Sequence, residues 1–173
     1  MGSNPVWYVF GFRSNIQTTV LVCGDVIVKC GEDMNYRIIV VESNRIEKFQ
    51  QDLIEEYEKR LSRYCKTKLV KVKKEKELAK QWKEANYSIG IVSGQSGMSS
   101  EDFADRIHRL GMDGYTNIDF YICPGDMDQE LLPLIHETLI ISSMEFQPIV
   151  TTGLLYEQVY RAYRILNKEP YHK

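Results

Sequence analysis

The sequence predicts an α/β domain built on a five-stranded parallel sheet, beginning near Met34. Three observations carry this. Arg37-Ile38-Ile39-Val40-Val41 is a nearly continuous apolar run, the mark of a strand buried on both faces. Between such runs, apolar residues recur at steps of three and four, which is helical spacing. The two patterns alternate along the chain, and strands alternating with helices imply a parallel sheet covered on both faces.

The elements follow in order. After the first strand, Ile46, Phe49, Leu53, Tyr57 and Leu61 define an amphipathic helix ending near Tyr64. Lys68-Leu69-Val70-Lys71-Val72 is a second strand, at an edge because lysines flank it. A short helix is expected from Glu75 to Ala85, then a third strand from Tyr87 to Val92. Ser93-Gly94-Gln95-Ser96-Gly97 is a flexible loop. Ser99 can cap the next helix, with Asp102 at its third position and Phe103, Ile107 and Leu110 facing inward to Gly111 or Gly114. Ile118 to Ile122 is the fourth strand, Cys123-Pro124-Gly125-Asp126 a tight turn, Met127 to Ile135 a helix and Thr138 to Ile141 the fifth strand. Ser142 to Gly153 is a long connection. The closing helix has one stripe of Leu155, Val159, Ala162 and Leu166, and a second of Tyr156, Tyr160 and Tyr163. So wide an apolar arc predicts packing on two sides, against its own core and something else. Asn167 and Pro170 end it, leaving an aromatic and cationic tail, Tyr171-His172-Lys173, that suits contact with nucleic acid.

Residues 1–33 differ from the rest. Val6 to Phe10 and Thr18 to Val22 are β-rich, and Gly24-Asp25 before Val26-Ile27-Val28 suits a hairpin, so residues 1–33 read as an N-terminal extension to a domain of residues 34–173, either a β element or a leader outside the ancestral domain. With 43% hydrophobic and 27% charged residues the chain has the composition of a globular protein. The net charge of −2 gives no overall nucleic-acid signal, so any such contact must come from a local patch. Seven lysines between Lys66 and Lys80, against Glu75 and Glu77, form the one basic patch; it is either a solvated strand edge or a phosphate-contact strip. Cys23, Cys30, Cys65 and Cys123 show neither Cys-x-x-Cys spacing nor a histidine cluster, which argues for reduced cytoplasmic thiols and against a metal site. Neither a membrane span nor a secretory leader is expected.

In an open α/β sheet ligands bind beyond the carboxyl ends of the strands. Here that means the loops Ser93–Gly97, Cys123–Asp126 and Ser142–Thr152. The Cys123–Asp126 turn could present amides to a polar ligand, although Pro124 removes one and a plain β–α turn is the simpler reading. Neither a lysine-bearing phosphate loop nor a G-x-G-x-x-G fingerprint is present. His108 and His136 each read as lone helical histidines, and Ser96, Ser142 and Ser143 lack an evident histidine and acid, which disfavours a hydrolase.

Glu157-Gln158-Val159-Tyr160-Arg161-Ala162 with the ending Pro170-Tyr171-His172-Lys173, Glu55 to Leu61 with Tyr64, and Ser99-Ser100-Glu101 together resemble the RlmH-type methyltransferases of the SPOUT class, across nearly all of the chain after the extension. The resemblance implies S-adenosylmethionine-dependent methylation of a pseudouridine ring nitrogen in large-subunit ribosomal RNA. It implies a trefoil knot at the C-terminal segment and a homodimer through the last helix, whose tyrosine stripe suits a two-fold contact. It places cofactor against Ile91, Cys123, Gly125, Ile141, Ser142, Ser143, Met144, Glu145 and Phe146, and Tyr171 and His172 at the RNA. Its partners would be ribosomal RNA or the large ribosomal subunit, with neither metal nor membrane. The sequence departs from the family's site. Cys123-Pro124-Gly125 stands for a double-glycine turn, Gln147-Pro148 and Thr152 stand where a Pro-His and a later Arg are usual, Glu42 replaces a Gly, and the segment before the second helix is shortened. An inactive paralogue that binds RNA or protein is the alternative these departures predict.

Overall fold

The computed structural model describes residues 34–127 and 129–170. The expected hairpin in residues 1–33 and the tail residues Tyr171 and His172 lie outside the described residues. The chain runs β1 (Asn35–Val41), α1 (Lys48–Leu61), β2 (Lys66–Val72), β3 (Tyr87–Val92), α2 (Ser100–Met112), β4 (Asn117–Ile122), β5 (Glu137–Ile140) and α3 (Pro148–Leu166). All five strands are parallel, in the order β2-β1-β4-β3-β5. The lysine-flanked β2 is therefore an edge, as its composition predicts.

Side-chain alternation divides the strands between two faces. Tyr36, Ile38 and Val40 of β1, Ile89 and Ile91 of β3, and Ile118, Phe120 and Ile122 of β4 share one core with buried residues of all three α-helices. Ile39, Tyr121, Val72 and Cys123 face the other way, under Leu78 and Leu131. That second face is covered by turns, not by the two helices expected there. Glu75–Glu77, Ala79–Gln81 and Leu132–Leu134 are single 3-10 turns. Each segment has one buried anchor, Leu78 or Leu131, instead of a stripe, and one turn's contacts cannot offset helix nucleation. Pro133 further withholds an amide from any helix in the second segment.

Two other expectations change. The connection after β5 is shorter than expected, because α3 begins at Pro148, where proline's preset φ suits a first helical position. Gly153, expected in the loop, lies within α3, where a Cβ would sit 2.9 Å from Leu53 Cδ2 of α1. The tyrosine stripe of α3 is not available to a partner. Tyr156, Tyr160 and Tyr163 are all buried within the subunit. The Tyr163 and Tyr36 hydroxyls lie 3.0 Å apart, Tyr156 donates to Glu58 Oε1 at 2.6 Å, and Tyr64 stacks on Tyr163 with ring centroids 5.4 Å apart. The residues α3 leaves exposed are Val150 and Leu154 instead. They meet Phe49 and Leu53 of α1, which are 69% and 45% exposed despite belonging to that helix's apolar stripe. Ile54 and Leu61 supply its buried contacts.

One polar cluster ties the second face together. Asp119, fully buried on β4, accepts from Arg37 Nε at 2.7 Å and from Arg37 Nη2. Asn86 Nδ2 donates to both carboxylate oxygens at 3.0 Å. Arg37 Nη2 also donates to Gln81 O at 2.8 Å, tying the Ala79–Gln81 turn to the sheet. The bond to Asp119 raises the Arg37 guanidinium above its ordinary range. Cys65, in the core at the foot of β2, is pushed up to about 12 by burial, so its thiol is uncharged at neutral pH. Replacing Arg37 by Leu strands the Asp119 carboxylate without its counter-charge, and should lower stability by about 3–5 kcal/mol in urea unfolding. The double replacement R37L/D119L should recover part of that loss.

Candidate functional site

The strand order sets β4, β3 and β5 side by side, so their carboxyl-end loops converge. They enclose a cavity of about 360 Å³. Ile91 and Ile122, near the ends of β3 and β4, are buried and contribute an apolar floor. Ile141, Met144 and Phe146, from the segment after β5, contribute a wall. Met144 and Phe146 are 64% and 40% exposed, so large apolar surface stands open at the mouth.

The loops are fastened to one another. Gly94 N donates to Ser142 O at 3.1 Å and Met98 N to Ile140 O at 3.3 Å, joining the β3–α2 loop to the segment after β5. A Cβ at Gly94 would lie 2.8 Å from Ile140 Cδ1, so a small residue permits that approach. Ser142 Oγ accepts from Met144 N at 3.0 Å and closes a local turn. In the third loop the Cys123 thiol lies 3.9 Å from Gly125 O and 3.8 Å from Asp126 O, reaching weakly into its own turn. Gly125 has φ +70°, in the left-handed region that side chains disfavour. Nothing lies within 4 Å of where its Cβ would be, so backbone conformation and not space requires glycine there.

Of the cofactor residues expected from sequence, Ile91, Cys123, Gly125, Ile141, Ser142, Met144, Glu145 and Phe146 all border this cavity. Ser143 does not; it is exposed and lies outside the cavity lining. The cavity also takes in Val92, Ser93, Ile122 and Pro124, and Gln147, Pro148 and Thr151 at the start of α3. Ser93 belongs to a loop that the carboxyl-end rule already marked. Gln147, Pro148 and Thr151 also fall in a marked segment, Ser142–Thr152, although Pro148 and Thr151 belong to the first turn of α3 and not to a loop. His136 is not helical. It precedes β5, accepts at Nδ1 from Ser88 N at 3.0 Å and stacks on Tyr87 at 4.7 Å, which is a structural role. Among the described residues no group of three or more His, Cys, Asp or Glu is placed to hold a metal ion. No helix among them is long and apolar enough to cross a membrane.

An apolar floor, backbone polar groups on three loops and a lone carboxylate, Glu145, make a site for holding a ligand. Ligands of α/β sheets settle at this rim. The chain belongs to the SPOUT methyltransferase family, whose model, described as a predicted SPOUT methyltransferase, matches residues 34–172. Within that family it is of the RlmH type. It is 41% identical over 140 residues to ribosomal RNA large subunit methyltransferase H 1 of Thermoanaerobacter sp. (strain X514), covering 81% of this chain and 100% of the relative. It is 35% identical over 160 residues to the ribosomal RNA large subunit methyltransferase H of Clostridium beijerinckii, again covering 81% and 100%. With that of Acetivibrio thermocellus the identity is 32% over 158 residues, 79% of this chain and 99% of the relative.

Gly125→Ala should cost about 1–2 kcal/mol through backbone strain, read as a lowered thermal midpoint. Because no neighbour crowds that position, Gly94→Ala, which must push on Ile140, is the informative comparison.

Proposed function

We propose that this chain transfers a methyl group from S-adenosylmethionine to a pseudouridine ring nitrogen of large-subunit ribosomal RNA. The observation that carries the reading is the meeting of three carboxyl-end loops on one cavity, bordered by eight of the nine residues expected at the cofactor. Its fit to the donor is chemical as well as spatial. A volume of about 360 Å³ lies within the range of small-molecule sites. Ile91, Ile122 and Phe146 offer apolar surface to a purine, and the Glu145 carboxylate offers a counter-charge to a cation. S-adenosylmethionine, when bound, supplies a methyl carbon already made electrophilic by its sulfonium.

The chain's own work is then positional. The buried floor excludes water from the reacting face, and the fastened loops hold the cavity in shape before ligand arrives. The open side, beside Met144 and Phe146, admits the acceptor base in line with the methyl group. Tyr171 and His172 are assigned to the RNA on this reading. The reading also carries a C-terminal trefoil knot and treats residues 1–33 as an N-terminal extension to the domain. We also assign a homodimer through α3, using Val150 and Leu154 with Phe49 and Leu53 of α1 in place of the buried tyrosines.

A second reading, an RNA-binding relative without methyl transfer, is favoured by two positions. Pro124 has no amide to offer the ligand. Thr152, where the resemblance expects an arginine, is fully buried and donates to Pro148 O at 2.9 Å, leaving no cation there.

Titration calorimetry separates the two: micromolar affinity for S-adenosylmethionine is expected, and an absence of heat at millimolar ligand selects the second. Phe146→Ala should weaken that affinity at least tenfold, by removing apolar contact, without moving the thermal midpoint. In sedimentation velocity the unaltered chain should run as a dimer and Leu154→Asp as a monomer.

A further inference from the structure

The lysines near β2 are not absorbed by the cofactor cavity, and the fold gives them a definite address. Lys66, Lys68, Lys71, Lys73, Lys74, Lys76 and Lys80 are all exposed. None of them enters an ion pair found among the described residues. Two nearby acids are held by local backbone, Glu77 accepting from Lys73 N at 3.0 Å and Glu42 from Asn44 N at 2.8 Å, while Glu75 is exposed between Lys74 and Lys76.

The parallel sheet decides which of these lysines can act together with the cavity. Val41 of β1 pairs with Val72 of β2, and Val40 with Ile122 of β4. Lys73, Lys74 and Lys76, which follow Val72, thus leave the sheet at the same rim as Cys123 and Pro124. Arg45 and Lys48, both exposed, follow β1 and fall between them. Two strand spacings, about 10 Å, separate the ends of β2 and β4. Lys66 and Lys68 sit toward the amino end of β2, away from that rim.

We propose that Lys73, Lys74 and Lys76, continued by Arg45, form a track along the carboxyl rim that binds the phosphate backbone of RNA and leads it to the cavity mouth. The assignment rests on the methyl-transfer reading for where the strand is going, but not for what binds it. A phosphate strand matches the track because the cations leave adjacent strands at one rim, are solvent-exposed and enter no ion pair found among the described residues, which suits sequence-independent backbone contact. The overall net charge of −2 would otherwise repel a polyanion, so a local track is what the chain needs to hold one.

The experiment measures affinity of the full chain against salt concentration for purified large ribosomal subunits and for a mixed-sequence RNA duplex. The variant K73Q/K74Q/K76Q should bind both about tenfold or more weakly, with the magnitude of the log–log salt slope reduced by about 2–3, as loss of three phosphate contacts requires. K66Q/K68Q, at the other end of the strand, should keep the slope of the unaltered chain. Affinity for S-adenosylmethionine should be the same in all three proteins. An unchanged slope in the triple variant overturns the track while leaving methyl transfer untouched. A reduced slope in a protein that methylates nothing upholds the track and sinks the enzyme reading. Loss of binding to anionic phospholipid vesicles with no loss on RNA would overturn the proposal in favour of a membrane surface.

Discussion

Five parallel strands must all end at the same side of their sheet, and most of this molecule's character follows from that constraint. Each strand hands the chain to a loop at one rim. The order β2-β1-β4-β3-β5 then decides which loops are neighbours. The segments after β4, β3 and β5, far apart in sequence, close around one cavity. The segments after β2 and β1 carry Lys73, Lys74, Lys76 and Arg45 along the same rim. Binding surface and cavity share an edge without any long-range contact having to bring them together.

The helical face gives that rim its rigidity. α3 crosses the sheet with Tyr156, Tyr160 and Tyr163 buried among α1, β1 and Tyr64. A buried tyrosine needs a partner for its hydroxyl, and Tyr36 and Glu58 supply them. The start of α3, with Gln147, Pro148 and Thr151, is in turn part of the cavity wall. The last helix is thus core on one side and site at its beginning. Its opposite, less buried flank carries the exposed Val150 and Leu154.

The positions at which the resemblance expects other residues have definite local roles in the fold. Cys123 directs its thiol back to carbonyls of its own turn, leaving the mouth unobstructed by a free donor. Gly125 retains the left-handed residue that lets this turn reverse tightly. Thr152 completes an intrahelical bond to Pro148 in a buried position that a guanidinium could not share without large rearrangement.

The sequence by itself determined the strands, because a buried parallel strand needs a short apolar run and little else does. Tyr87–Val92 coincides with its expectation, β1 and β4 differ by two residues or fewer at an end, and Ser99 caps α2 through its bond to Asp102 N. It also determined most of the cavity, since loops after strands are ligand loops in this architecture and the resemblance located residues within them. Only the tertiary structure decided the rest. Whether Leu78 or Leu131 anchors a helix or a single turn depends on how much sheet remains to be covered. Whether the tyrosines of α3 face a twin or their own core depends on Tyr36, Glu58 and Tyr64, which are distant in sequence. Whether Phe49 and Leu53 turn outward depends on how closely Gly153 lets two helices approach. Periodicity reports that a face is apolar; which body covers it is set by packing between segments that no local pattern connects.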